Sequence, residues 1–151
     1  MTRRLWWCLA VALSAGLVGC NSGVPEPASV QVPGTGLRLT IVRIATDPFL
    51  SRHNLALTVE RAPDCRTEVD LFPDTGHASR RNLYVTRNGL VYVVGQFDAR
   101  VIDGQACTIT LSEFRHLDRE VIFLGSFDED AGERWTYLPA SERPERPFEK
   151  R

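Results

Sequence analysis

Hydrophobic residues alternate with polar ones at a period of two through the middle of this chain. In residues 37–41 and 55–59, and again in 69–71 and 107–111, every second side chain is apolar. Successive side chains of an extended strand point to opposite faces, so this period predicts strands with one buried face and one solvent-exposed face. Helical spacing never persists for three turns. The pattern therefore predicts an all-β domain built from antiparallel sheets.

The strongest local signal is a hairpin in the segment LYVTRNGLVYVVGQF, residues 83–97. Asn88-Gly89 suits a two-residue type I′ turn, which needs positive φ at both central positions. That turn pairs Arg87 with Leu90 and sets Val85 opposite Tyr92. Apolar residues fall on both faces, so we expect the hairpin to lie centrally in its sheet.

The region from 36 to 138 holds about eight such short strands separated by turn signals, which favours a single small β-sandwich or barrel. Residues 119–127, REVIFLGSF, predict another well-buried strand. The chain has 151 residues, enough for one domain with a real core.

Ahead of this region lies the chain's one long apolar run. Arg3 and Arg4 precede an uncharged stretch from Leu5 to Val18, and polar residues and prolines follow it. The run has 14 residues, whereas a transmembrane helix needs roughly 20. Its length and flanks therefore predict a secretory signal.

Leu17-Val18-Gly19-Cys20 resembles the lipobox of bacterial lipoproteins. The resemblance covers residues 1–20 alone and implies that residues 1–19 are a signal peptide cleaved before a lipidated Cys20. The alternative is an ordinary signal peptide whose cleavage site precedes a cysteine. Asn21 stands where an Asp would favour retention in the inner membrane, so the resemblance implies an outer-membrane anchor facing the periplasm. Two or more acyl chains anchor a protein stably.

Composition predicts flexible segments on both sides of the domain. Residues 20–35 combine the lipidated cysteine with a proline-rich linker, which we expect to act as an extended tether. Residues 139–151 form a charged, proline-rich tail. Phe148 is its one large hydrophobic residue, so the tail is either a frayed end or a short docking motif.

Two of the four cysteines remain once Cys8 leaves with the leader and Cys20 carries lipid. Cys65 and Cys107 then predict one structural disulfide in an exported domain. Its loop of just over 40 residues corresponds to about 4 kcal/mol of chain entropy. A redox-active pair would favour a C-x-x-C spacing, which the sequence lacks.

Histidines and hydroxyls give weak catalytic signals. His53, His77 and His116 lie far apart and lack the spacing of a zinc site. Asp74, His77 and Ser79 are close in sequence, but members of one six-residue loop rarely reach triad geometry, so we interpret the segment as an exposed turn.

The acidic residues are equally ambiguous. Asp128, Asp130 and Glu133 begin like a calcium loop and then depart from it, which favours an acidic hairpin tip. Three further carboxylates could serve a glycosidase only at a defined separation, which the sequence does not fix. They are Glu113, Asp118 and Glu120.

Partner-binding candidates fall on two segments. Trp135 and Tyr137 share one face of the last predicted strand, where core packing is the commoner role and an exposed patch for a protein or glycan is the alternative. His77, Arg80 and Arg81 lie in the segment DTGHASRR, which would enter an enzyme cleft if the protein were a lysozyme inhibitor.

These observations predict an outer-membrane lipoprotein without enzymatic activity, whose tethered domain binds another envelope protein. Its organisation alone resembles accessory lipoproteins of secretion systems and lipoprotein inhibitors of lysozyme. The sequence also leaves open a hydrolase of cell-wall or glycan material and a purely structural envelope protein. Without Arg3 and Arg4 the chain has 16 basic residues (18 less 2) against 19 acidic ones, a net charge of −3. We therefore expect no nucleic acid partner. The spacing of the histidines and acidic residues leads us to expect no metal, and we expect no cofactor.

Overall fold

The computed structural model describes residues 23–47, 49–76, 79–112 and 120–148. Ten strands lie in these ranges. They are β1 (Glu26–Gln31), β2 (Arg38–Ala45), β3 (Arg52–Arg61), β4 (Cys65–Thr75), β5 (Arg81–Thr86), β6 (Val91–Val94), β7 (Ala99–Asp103), β8 (Thr108–Ser112), β9 (Val121–Glu129) and β10 (Trp135–Pro139).

The strands form two antiparallel sheets packed face to face. The first sheet has the order β1-β2-β3-β4 and the second β10-β9-β5-β6-β7-β8. The predicted all-β sandwich is confirmed, with two separate sheets instead of a closed barrel. Within the described ranges, no helix is long and apolar enough to cross a membrane.

The core fills the space between the sheets and explains the alternation in the sequence. Leu39 and Ile41 of β2 and Leu57 of β3 are completely buried on the inner face of the first sheet. Leu83 and Phe127 are equally buried in the second sheet. Every second residue of these strands faces the core, which is the arrangement that the period of two predicts.

The NG hairpin forms between β5 and β6 with a register one residue away from the prediction. Val85 pairs with Val91 and Tyr84 with Tyr92, so the pairing is offset from the one that a two-residue turn would set. Gly89 takes a φ of 84°, and the Thr86 hydroxyl oxygen accepts a hydrogen bond from the Leu90 amide at 3.0 Å. This register also brings Leu83, Val85, Val91 and Val93 to one face, against the core, because a shift by one residue exchanges the faces of a strand.

The predicted linker is wrong for residues 26–31, which form β1 and pair with β2 from Glu26↔Arg43 to Gln31↔Arg38. β1 lies at the edge of its sheet, where a proline such as Pro27 is tolerated because one side of the strand needs no ladder bonds. Ala28 and Val32 are buried in the core. The proline content therefore led to the prediction of a linker where the chain forms a strand.

The predicted frayed tail is also wrong as far as residue 148, because it folds back over the outer face of the second sheet. The Arg146 carbonyl accepts a hydrogen bond from Asn82 Nδ2 at 3.0 Å, and Tyr84 donates one of 2.8 Å to Glu145. Phe148 packs against an outer apolar cluster. We call this the outer cluster; its members are Tyr84, Tyr92, Val94, Ala99, Val121 and Phe123.

The predicted disulfide is confirmed between Cys65 and Cys107, whose Cα atoms lie 5.5 Å apart. Cys65 begins β4, and Cys107 immediately precedes β8. β4 and β8 are edge strands of different sheets. The disulfide therefore joins the two sheets along one open side of the sandwich.

Candidate functional site

A polar cleft of about 660 Å³ opens at one end of the sandwich. It lies where β2, β4 and β9 finish, and we call this the cleft end. The Asn88-Gly89 turn and the disulfide lie at the opposite end, the far end. The cleft is lined by Arg43, Ser51, His53, Asp74, Gly76, Ser79, Arg80, Asp128, Glu129, Arg146 and Pro147.

Three potentially reactive side chains meet in this cleft. The register of β3 and β4 sets His53 opposite Asp74, and the chain after β4 brings Ser79 beside both. The Ser79 hydroxyl donates a hydrogen bond of 2.8 Å to Asp74 Oδ2. His53 Nδ1 lies 3.3 Å from Ser79 Oγ and 3.6 Å from Asp74 Oδ2.

This cluster does not have the connectivity of a catalytic triad. In a triad, the imidazole stands between hydroxyl and carboxylate, with a different ring nitrogen facing each. Here Nδ1 faces both groups, and the Ser79 proton is already directed to Asp74. Ser79 is also buried. The arrangement holds Ser79 against Asp74 and does not prepare its hydroxyl for nucleophilic attack.

Arg43 forms one wall of the cleft and is held from three sides. Its Nε donates to Glu26 at 2.7 Å, and its Nη1 pairs with Glu129. Its guanidinium carbon lies 5.0 Å from the centre of the Trp135 ring, a cation–π distance. Burial of the guanidinium opposes its charge, but the hydrogen bonds to Glu26 and Glu129 outweigh burial, so the pKa of Arg43 is raised.

The tail supplies the opposite wall. Arg143 and Arg146 both pair with Asp128. Arg80 donates a hydrogen bond of 2.7 Å to the Arg146 carbonyl, and its guanidinium carbon lies 4.3 Å from the centre of the Phe148 ring. Burial, and then the nearby Arg146, lowers the pKa of Arg80. The cleft thus depends on the folded-back tail for part of its shape.

Two residues predicted to bind a partner are core residues instead. Arg81 is 3% exposed and donates to the carbonyl of Phe72 at 2.6 Å. Trp135 is 6% exposed, and its indole nitrogen donates to the Ile41 carbonyl. Both side chains are buried within the sandwich, so neither is available on the surface.

Tyr137 and Arg80 are partly buried. Tyr137 packs edge-on against Phe127 with 5.2 Å between ring centres, and its hydroxyl donates to the Leu124 carbonyl. Arg80 is the one predicted partner-binding residue, among those described, that lines the cleft.

Several predicted site residues lie outside the described ranges. They are Cys20, His77, Glu113, His116 and Asp118. Glu120 is exposed, and its Oε2 lies 3.4 Å from Arg87 Nε at the far end. It is therefore distant from the cleft.

The acidic tip after β9 uses its carboxylates internally. Asp128 pairs with two tail arginines. Asp130 accepts hydrogen bonds from Arg134 and from the Gly132 amide, and these lower its pKa. No group of three potential metal ligands occurs in the part of the chain that the structure describes. The tip is a closed hairpin turn, as the departure from the calcium-loop pattern suggests.

The pairing of His53 with Asp74 and Ser79 was missed from the sequence, because these residues are 21 to 26 positions apart. Only the β3–β4 register brings them together, and a β-bulge between His53 and Leu55 shifts that register.

No family model, no curated protein and no solved structure matches this chain.

Proposed function

We propose that this chain is an exported lipoprotein, anchored in the outer membrane through Cys20, whose sandwich binds another envelope protein and catalyses no reaction. The observation that carries the proposal is the Cys65–Cys107 disulfide. Structural disulfides persist in oxidising compartments and are rare in the cytosol. The disulfide and the lipobox-like segment at residues 17–20 are independent features, and both are expected of a protein outside the cytoplasm.

The composition of the cleft supports a protein partner over a small molecule. Sites for small ligands are mainly apolar with a few polar groups. This cleft has the reverse composition: its arginines Arg43, Arg80 and Arg146 face the carboxylates Asp128 and Glu129. Paired charges of both signs suit a polar polypeptide segment better than an apolar small molecule.

Inhibition of a lysozyme-type hydrolase is the weaker form of this proposal. It requires a side chain from residues 74–81 to enter the cleft of the enzyme. Ser79 and Arg81 are both buried, and the partly buried Arg80 is already held by the Arg146 carbonyl and the Phe148 ring. An assay of lysozyme activity with micromolar protein tests this form directly, and we expect no inhibition.

A cross-linked pull-down from envelopes tests partner binding. Ser51 lines the cleft and is exposed, so Ser51→Trp would obstruct the cleft without removing one of its ion pairs. Thr108→Trp, on the exposed edge strand β8 near the far end, is the matched control. We expect a specific envelope protein with the wild type and with Thr108→Trp, and its loss with Ser51→Trp. Equal recovery with both variants would exclude the cleft as the binding site.

Hydrolysis of cell-wall or glycan material is a second candidate, favoured by the meeting of Ser79, His53 and Asp74 in one cleft. The connectivity described above argues against it. Release of soluble fragments from purified peptidoglycan by the wild type, abolished in Ser79→Ala, would establish an enzyme. We expect no release from either protein.

A further inference from the structure

The N-terminal chain is fastened to the cleft end of the sandwich. The Gly23 amide donates a hydrogen bond of 3.0 Å to the Ala45 carbonyl at the end of β2. A side chain at Gly23 would approach the Ala45 Cβ to 2.8 Å, so the absence of a Cβ permits this contact. The sandwich therefore includes residue 23, well before residue 36, where the sequence predicts its start.

This contact limits the distance between the sandwich and a lipid at Cys20. Three peptide links connect Cys20 to Gly23, and a chain of that length spans at most about 11 Å. A flexible linker to residue 35 would instead allow the domain to move tens of ångströms away. With Cys20 lipidated, the start of β1 lies close to the bilayer surface.

The same end presents apolar side chains to the outside. Phe49 is 93% exposed and Leu50 is 50% exposed in the β2–β3 loop, and Val24 is 83% exposed beside Gly23. Asp47 Oδ1 accepts hydrogen bonds from the amides of Phe49 and Leu50, at 2.8 and 3.0 Å. These hydrogen bonds fix the backbone at Phe49 and Leu50, whose side chains are exposed. We call Val24, Phe49 and Leu50 the apolar tip.

Two further exposed aromatic residues lie at this end. Phe72 is in the last third of β4, and Phe97 is in the loop between β6 and β7; each is about half exposed. The Phe72 amide donates to Asp98 Oδ2 at 3.1 Å, which places β4 and this loop side by side. Clustered exposed apolar groups mark surfaces that contact a membrane or another protein.

We propose that the apolar tip inserts into the interfacial region of the bilayer and orients the sandwich with the β2–β3 loop and the start of β1 at the membrane. The proposal rests on the lipid anchor at Cys20 that the proposed function assigns. The short connection between Cys20 and Gly23 favours lipid as the partner of the apolar tip. That connection brings the apolar tip to the membrane whether or not a protein partner is also bound. Apolar side chains bury about 5–10 Å deep at this boundary.

Tryptophan quenching in reconstituted vesicles tests the orientation. The lipidated mature protein carries one native tryptophan, the buried Trp135, as a constant background. Phe49→Trp adds a reporter in the apolar tip. Ile122→Trp is the matched control, because Ile122 is 57% exposed at the start of β9, at the far end. Both variants are incorporated into phosphatidylcholine vesicles with brominated acyl chains, which quench tryptophan on contact.

We expect the residue introduced by Phe49→Trp to lose most of its emission, and the one introduced by Ile122→Trp to keep nearly all of it. Equal emission in brominated and unbrominated vesicles for Phe49→Trp would overturn the proposal. So would a blue-shifted but unquenched emission that depends on protein concentration, because a second protein copy would then cover the apolar tip. Flotation with the vesicles, and its loss in Cys20→Ala, reports on the anchor separately. A protein that floats but is not quenched refutes the orientation alone, whereas one that does not float refutes the anchor.

Discussion

The indole nitrogen of Trp135 donates a hydrogen bond of 3.1 Å to the carbonyl oxygen of Ile41. Trp135 begins β10 at an edge of the second sheet, whereas Ile41 lies in β2 of the first. The bond therefore crosses from one sheet to the other, and the Trp135 ring packs beside Phe127 with 6.5 Å between ring centres. One side chain closes the side of the sandwich where β1 and β10 meet.

Trp135→Ala should lower the free energy of unfolding by about 3–5 kcal/mol, the usual cost of removing a large buried aromatic side chain. Trp135→Phe should cost about 2 kcal/mol, since it loses the hydrogen bond and part of the ring volume. Urea unfolding followed by circular dichroism measures both. Tyr137→Phe, which removes one hydroxyl from the same strand, is the control and should cost about 1 kcal/mol. An Ala variant within about 1 kcal/mol of the wild type would contradict a core role for Trp135.

Replacing both Cys65 and Cys107 with serine should lower the free energy of unfolding by about 4 kcal/mol, because the unfolded chain regains the freedom of a loop with a sequence separation of 42. Chemical denaturation of the wild type with and without reductant provides the comparison. Reductant should destabilise the wild type and leave the double variant unchanged. A wild type insensitive to reductant would contradict the prediction.

Alkaline pH should destabilise the domain through Tyr84. Burial raises the pKa of its hydroxyl to about 12, whereas a tyrosine in an unfolded chain titrates near about 10. The folded state therefore holds the proton more tightly. This contribution to stability is complete below about pH 10 and is lost as the pH rises from about 10 towards 12.

The free energy of unfolding at about pH 9 and about pH 11 measures this effect, and it should be smaller at the higher pH. Burial also raises the pKa of Tyr137 to about 12, so the two residues act in the same direction. Tyr84→Phe should reduce the loss, and the double variant with Tyr137→Phe should reduce it further. An unchanged pH dependence in the double variant would assign the alkaline instability to other groups.

Phe148→Ala should lower the free energy of unfolding by about 1–2 kcal/mol, because the side chain is partly buried against the outer cluster and stacks with Arg80. Thermal unfolding measures the loss, and binding of a hydrophobic dye should rise as the outer cluster is uncovered. Glu142→Ala, at an exposed position of the same tail, should leave both unchanged. Identical behaviour of the two variants would mean that the tail does not hold to the sheet.

Strands with regular alternation were predictable because the alternation of apolar and polar residues is visible within a few consecutive positions of the sequence. Leu39, Ile41, Leu57 and Val59 stand at alternate positions and are all buried. β1 was not predicted, because the prolines around Ala28, Val30 and Val32 indicated a linker although these three residues follow the same alternation. An edge strand tolerates such prolines. The fold of the tail was not predictable because its binding surface, the outer cluster, exists only after the second sheet has formed.

The candidate site was less predictable than the fold. The disulfide followed from counting cysteines, whereas the meeting of His53 with Ser79 depends on strand register and on a bulge. The burial of Arg81 depends on Gly95, where a Cβ would lie 2.7 Å from the Arg81 guanidinium carbon. Contacts of this kind join distant segments, and no short window of the sequence contains them.

The pairing of β1 with β2 also determines how the domain withstands mechanical force. β1 runs from the cleft end towards the far end, and six residue pairs join it to β2. A pull on the chain ahead of Gly23 that is directed along the axis of β1 would load this pair in shear. Such a load shears all the hydrogen bonds of the pair at once, whereas a pull across the strands would break them one after another. The β1–β2 pair is thus oriented to resist tension that is applied to the N-terminal chain along the strand axis.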